Sequence, residues 1–209
     1  KGVPRKNIIN LNGKPLISYA IQSAKNSKLL DEFIVSTDDN EIAEVAVSYG
    51  ANVPFLRPKS ISEDSSKMID VMLHSYEWLK RNGKEITALV LLQPTSPFRN
   101  AVHIDEAIKI FKNNLANTVV SVAEVPHQYN PYSLMEINEV GEINHFLKGN
   151  PFISSRQEKP KFFARNGPSI LIIKTEQLIK RIFYGEKCFP YIMNFEDSLD
   201  IDSYEDLMI

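Results

Sequence analysis

At 209 residues, with 43% hydrophobic and 24% charged side chains, the chain has the length and apolar content of one globular domain with a full core. A net charge of −2 leaves no basic excess to attract a nucleic-acid backbone, and no apolar run approaches the roughly 18–20 residues that cross a bilayer. Cys188 is the only cysteine, which excludes an internal disulfide and a cysteine-built metal cluster. With no signal-peptide pattern at its start, the chain is expected to work in the cytoplasm.

The first six residues carry three cations, Lys1, Arg5 and Lys6, and read as part of a functional loop with a strand expected upstream. Asn12-Gly13-Lys14-Pro15 is a turn whose proline suits the first position of a helix, and Leu16, Ile17, Ala20, Ile21 and Ala24 then share one helical face. Phe33-Ile34-Val35 predicts a short buried strand ending in Ser36-Thr37-Asp38-Asp39. Ile42, Ala43, Val45 and Ala46 predict a helix closed by Gly50, followed by a strand over 52–56 that stops at Arg57-Pro58. Helical spacing returns at Ile69, Met72, Leu73, Tyr76 and Leu79. The run 87–92 has strand length and ends in Gln93-Pro94-Thr95-Ser96-Pro97. Ile104, Ala107, Ile108 and Phe111 mark the next helix, and 118–122 the next strand. Such alternation predicts an α/β fold, with a doubly wound, mostly parallel sheet covered by helices on both faces. From about 126 to about 161 the rhythm breaks into proline, asparagine and short β-like pieces, too long for an ordinary loop. This stretch predicts a protruding β-arm inserted in a single domain spanning 1–209. An arm that cannot bury its own apolar side chains points to a partner subunit. A strand over 170–173, a helix over 178–183 and a strand over 191–195 follow.

In a doubly wound sheet, ligands bind beyond the carboxyl ends of the strands. Reactive groups stand after the strand runs at Asp38 and Asp39, at Arg57, at Gln93, and at Asp200 and Asp202. In Ser198-Leu199-Asp200-Ile201-Asp202, extended backbone turns Leu199 and Ile201 to the core and both aspartates to the other side. Two such carboxylates repel unless a cation or proton sits between them, and hard oxygen ligands of this kind suit Mg²⁺. The same stretch also reads as the cap of a last helix, with Asp202 or Ser203 capping and Glu205 or Asp206 completing a capping box. Lys1, Arg5 and Lys6 precede a helix and can hold a nucleoside triphosphate, or they form a solvated basic end. Arg57 can reach a ligand across the strand ends, or lie on the surface. Gln93 stands at the mouth of the core, or serves the turn before Pro94. Arg156 and Arg165 flank Phe162-Phe163, as receptors for a substrate carboxylate or as solvated arginines of the arm. The phosphate-loop, dinucleotide and zincin signatures have no match.

Taken in order, seven segments resemble the acylneuraminate cytidylyltransferase family, the CMP-sialic acid synthetases and their legionaminate and pseudaminate relatives. They are Lys1-Gly2-Val3-Pro4-Arg5-Lys6-Asn7, Leu11-Asn12-Gly13-Lys14-Pro15-Leu16-Ile17, Val35-Ser36-Thr37-Asp38, Phe55-Leu56-Arg57-Pro58, Leu92-Gln93-Pro94-Thr95-Ser96-Pro97, Ser155-Arg156-Gln157 with Asn166-Gly167, and Asp197-Ser198-Leu199-Asp200-Ile201-Asp202. The resemblance implies a Rossmann-like nucleotidyltransferase that moves CMP from CTP to an acidic nine-carbon sugar. It implies that Lys6 and Asn7 contact the triphosphate with Lys1 nearby, and that Arg57 holds the cytidine nucleotide. Gln93 would meet the sugar, Arg156 and Asn166 would stand on the acceptor side, and Asp200 and Asp202 would bind Mg²⁺. A homodimer joined through the arm is implied as well. The rival expectations are the same reaction on deoxy-octulosonate, a metal-dependent glycosyltransferase, and a non-catalytic nucleotide-binding homologue.

Overall fold

The computed structural model describes residues 3–63, 65–149, 153 and 155–208. The chain opens with a 3₁₀ turn at Lys6–Ile8 and a two-residue hairpin, β1 (Asn10–Leu11) and β2 (Lys14–Pro15). Its tip is Asn12-Gly13, with φ of 49° and 81°. That pair of left-handed residues matches the twist of a tight hairpin. Pro15 then caps α1 (Leu16–Asn26), whose buried face is the predicted one. Helix α2 (Asn40–Ser48) starts where Asp39 accepts from the backbone N–H groups of Glu41 and Ile42, the groups an N-cap carboxylate satisfies. The strands expected at 33–35 and 52–56 reduce to isolated parallel bridges, Ile34 with Asn52 and Thr37 with Leu56.

Helix α3 (Met68–Arg81) leads into β3 (Ala88–Leu92), α4 (Ala101–Asn113) and β4 (Thr118–Glu124). Asn100 and His103 close a reciprocal capping box at the start of α4. The chain then enters the irregular stretch, where β5 (Met135–Ile137) and β6 (Ile143–His145) pair as a separate antiparallel hairpin. It returns as β7 (Phe163–Arg165) and β8 (Ile170–Lys174), followed by α5 (Thr175–Ile179) and β9 (Cys188–Met193). Helix α5 begins earlier and is shorter than the expected 178–183, and the chain turns through a left-handed Arg181 soon after it.

The α/β class and the helices on both faces agree with the expectation, and the sheet itself is mixed. β8 lies between β3 and β4 and runs antiparallel to both, β7 is antiparallel to β4, and β9 is parallel to β4. The reason is the connection. A parallel return needs a crossover, usually a helix, whereas a chain that leaves β4 through an excursion and comes straight back pairs antiparallel. Alternation along β8 feeds both layers: Ile170 and Ile172 pack with α4, while Leu171 and Ile173 pack with α3 and α5. A third cluster joins Ile17 and Ile21 of α1 to Ala46 of α2 and to Ala51.

The core and the solvent-facing helix surface should therefore respond differently to truncation. Ile172→Ala empties a fully buried central position and should cost about 2–5 kcal/mol in urea denaturation. Val102→Ala trims a valine that is 60% exposed on α4 and should stay within about 0.5 kcal/mol. Equal losses at the two positions would contradict this assignment of the core.

Candidate active site

The site is built where β7 and β8 fail to be one strand. Val122 pairs with Arg165 and Val120 pairs with Leu171, so residues 166–170 lie opposite Ser121 alone. Ser121 satisfies the interruption with its side chain. Its hydroxyl donates to Asn166 Oδ1 (2.6 Å) and accepts from the Ile170 N–H (2.8 Å). Asn166 Nδ2 donates to Ser198 Oγ (2.9 Å) and approaches Met193 Sδ (3.4 Å). The bulge so held carries Gly167, at φ +111°. A Cβ there would meet the Ser169 N at 3.3 Å, Asp200 Oδ2 at 3.5 Å and Gln93 Oε1 at 3.5 Å. Both the backbone angle and the close approach favour glycine, and its small size lets Gln93 and Asp200 flank the same backbone.

The acid pair lies beside this bulge. Ile201 is buried and its N–H donates to the Thr95 carbonyl (2.8 Å), which pins the segment to the loop after β3. Asp200 is half-buried and Asp202 exposed. Asp200 Oδ1 has no hydrogen-bond partner. Burial pushes the Asp200 carboxyl above the usual carboxylate range; a Thr95 hydrogen bond and the Lys6 ammonium oppose this, while the charges of Asp202 and Asp206 add to it. Of the expected capping alternatives, the one formed is Ser203 as cap with Asp206 completing the box. Asp206 Oδ2 accepts from the N–H groups of Asp202 (2.9 Å) and Ser203 (2.8 Å), and the Asp206 N–H donates back to Ser203 Oγ (3.3 Å). These bonds hold the Asp206 carboxyl below its usual range and leave the side chains of Asp200 and Asp202 outside the cap. Among the described residues no group of three or more His, Cys, Asp and Glu is arranged to hold a metal. A divalent cation with hard-ligand preference can instead use the Asp200–Asp202 pair and complete its shell with phosphate and water.

The cation facing this pair comes from the other end of the sequence. Lys6 Nζ donates to Asp202 Oδ1 at 2.6 Å, across a separation of 196 residues. The turn that presents Lys6 is anchored by Arg5, whose backbone is left-handed at φ 55°. Its guanidinium binds Glu41 (2.5 Å) and Asp39 (3.4 Å) at the start of α2. Arg57 reaches the neighbouring residue: Nη2 donates to Asp38 Oδ1 (3.0 Å) and Nε to Ser62 Oγ (3.0 Å), while its own N–H donates to the Thr37 carbonyl (2.7 Å). One acidic loop, Asp38-Asp39, thus fixes both the basic turn and Arg57.

The structure brings together Lys6, Asp202, Asp200 and Gln93. Asn7 follows Lys6 in the same 3₁₀ turn and is half-buried. Asn166 has its side chain engaged inside the protein, so its contribution is to shape the bulge. Arg165 is exposed and stacks at 5.2 Å on Tyr184, to whose hydroxyl it also donates (3.1 Å). Lys1 and the side chain of Arg156 lie outside the described residues. Sequence reasoning missed Arg99, which is 1% exposed and donates from Nη1 to the Gln93 carbonyl (3.0 Å) and the Ser169 carbonyl (2.8 Å). A lone arginine after Pro97-Phe98 carries no periodic signal of burial; only the tertiary structure reveals it.

Comparison with known proteins points to one family. Residues 1–196 match the family described as Cytidylyltransferase. The chain is 36% identical to the CMP-N,N'-diacetyllegionaminic acid synthase of Legionella pneumophila, over 97% of this chain and 86% of that protein. It is 30% identical to a pseudaminic acid cytidylyltransferase of Campylobacter jejuni, over 99% of this chain and 88% of that protein. The structure superposes on CMP:2-keto-3-deoxy-manno-octonic acid synthetase complexed with CTP with a TM-score of 0.70 at 12% identity, covering 100% of this chain and 90% of the other, a likeness of fold. With the family match running over nearly the whole sequence and relatives of 30–36% identity covering it, the chain belongs to the cytidylyltransferase family.

Proposed function

We propose that this chain transfers CMP from CTP to the anomeric hydroxyl of a nonulosonic acid of the sialic, legionaminic or pseudaminic type and releases pyrophosphate. The observation that carries the reading is the 2.6 Å contact between Lys6 and Asp202, which joins a cationic turn to a carboxylate pair at the mouth of the sheet. The named relatives that act on legionaminic and pseudaminic acids support the acceptor class.

The residues divide the task by charge. Lys6 and Asn7 hold the triphosphate, and Lys6 offsets the charge that develops on the α-phosphate. Arg57 holds the nucleotide side of the cleft. Gln93 meets the sugar, and Arg156 and Arg165 offer guanidinium groups for its carboxylate. Asn166 supports that side through the bulge it stabilises. Asp200 and Asp202 would hold Mg²⁺, a fit supported by the unpartnered Asp200 Oδ1 and by the cation already drawn to Asp202. Bound Mg²⁺ would supply charge neutralisation and Lewis acidity at the phosphates. The acceptor hydroxyl oxygen forms the new bond to the α-phosphorus, and the bond to the bridging oxygen breaks as pyrophosphate leaves. Alignment and fixed charge supply the acceleration, without a covalent enzyme intermediate.

The arm supports a homodimer. Ile137, Val140, Ile143 and Phe146 are all exposed on it, an apolar cluster that a second copy of the arm can cover. No helix among the described residues is long and apolar enough to cross a membrane, and the supply of CTP favours a cytoplasmic setting.

Three outcomes follow. Pyrophosphate release should require CTP, Mg²⁺ and a nine-carbon acid when four nucleoside triphosphates are tested against a panel of ulosonic acids. Release with UTP alone, or only with an eight-carbon acid, would redirect the reading to a rival. Asp202→Asn should lower kcat by about 10²-fold or more with little change in denaturation midpoint, because the Lys6–Asp202 pair is largely solvent-screened; retained turnover would remove Asp202 from the machinery. Asp200 gives a pH test. Its folded-state pKa is raised, so the ionised carboxylate opposes folding at neutral pH, and this cost disappears as pH falls below that pKa. Asp200→Asn should therefore raise the thermal midpoint of the unliganded protein at pH 7 relative to the parent, narrow that gap in acid, and abolish turnover. A lower midpoint at pH 7 would contradict the burial cost assigned here.

A further inference from the structure

Arg99 is a fully buried cation with no carboxylate partner among the described residues. Nη1 alone is bonded, to the carbonyls of Gln93 and Ser169, whereas Nε and Nη2 have no hydrogen-bond partner. Burial draws its guanidinium down to about 10, which leaves it cationic at neutral pH. Interiors rarely keep such a group, because an uncompensated charge and unmet donors both oppose folding, and departures of this kind concentrate at functional sites.

Its position says what it does. The β3–β8 ladder ends with Leu92 opposite Ile170. The next residues on the two strands are Gln93 and Ser169, and in place of another rung both carbonyls accept from the same Arg99 nitrogen. The strands are thus tied at the point where their continuations diverge into the cleft. One continuation carries Gln93 and then Thr95, whose carbonyl accepts from the Ile201 N–H between the two aspartates. The other carries Gly167, flanked by Gln93 and Asp200. The backbone of Arg99 is fixed in turn, since its carbonyl accepts from Ser23 Oγ of α1 at 2.7 Å.

We propose that Arg99 is a positioning residue of the transfer site, a clamp across the two strand exits that sets the spacing of Gln93, Gly167 and Asp200 without touching substrate. The clamp acts on the acceptor and metal side of the cleft. The basic turn and Arg57 are anchored separately through Asp38 and Asp39.

The inference rests on the nucleotidyl-transfer reading, and its test separates the two. The parent chain, Arg99→Met and Arg99→Lys are compared for kcat, for KM of the acid and of CTP, and for half-saturating Mg²⁺. Hydrogen–deuterium exchange is measured on the same proteins without ligand. Arg99→Met should raise the acid KM and the Mg²⁺ requirement by about tenfold or more while the CTP KM moves by less than about threefold. Arg99→Lys, which keeps one charged donor, should recover part of the loss. Exchange should rise at 93–97 and 166–170 and stay unchanged in the core of β4. If Arg99→Met does not fold, Arg99→Lys is judged by the same constants; if neither folds, Arg99 serves the fold alone and the proposal is overturned. A folded variant with parental acid KM and Mg²⁺ requirement also overturns it, as does a uniform drop in kcat or exchange that rises evenly along the chain. A parent protein without CTP turnover would instead sink the reaction, and local exchange would still decide the clamp.

Discussion

The structure depends on β8 being held on every side. Its residues are hydrogen-bonded to β3 along one edge and to β4 along the other, and Ile170, Leu171, Ile172 and Ile173 are almost wholly buried. A strand so enclosed cannot slip, because a one-residue shift would exchange the two buried faces and break both ladders. The start of β8 therefore fixes the bulge that precedes it. That bulge is where an irregular backbone is needed, and Ser121 and Asn166 provide the bonds that the missing rungs would have made. Rigid strands placing an irregular turn is a common way to hold reacting groups at fixed separation.

Charge completes what the sheet begins. Among the described residues of the basic side, Lys6 pairs with Asp202, Arg5 with Asp39 and Glu41, and Arg57 with Asp38. These pairs are partly exposed, so their value lies less in stability than in holding long side chains near where a polyanion would bind. Asp200 differs in being half-buried and unfavourably placed as an anion.

Much of this was legible in the sequence because it rests on period and order. Leu16, Ile17, Ile21 and Ala24 mark α1 by spacing alone, and the apolar run before Gln93 marks β3. The alternation around Ile201 correctly separated a buried isoleucine from its acidic neighbours. Three things were not legible. The direction of β8 depends on which strand it returns to, and that is decided by the arm connection rather than by β8's own residues. The segments near Phe33 and Val53 have strand-like composition, yet they pair only at single bridges. Asn166 was expected on the acceptor side, and its amide is consumed by Ser121 and Ser198, partners 45 and 32 residues away. Long-range hydrogen bonding of this kind has no local signature.

The contact between Lys6 and Asp202 has a bearing on how the protein comes into being. Closing so large a loop carries a heavy entropic cost until the intervening chain is already compact. During synthesis the basic turn emerges well before its acidic counterpart, 196 residues later, so α1, α2 and β3 can collapse before the two sides of the site meet. Secondary structure and apolar packing can thus be recovered well before the chain is competent for chemistry. The segment around Ile201 acts as the closing piece, burying that isoleucine while bringing Asp202 to Lys6.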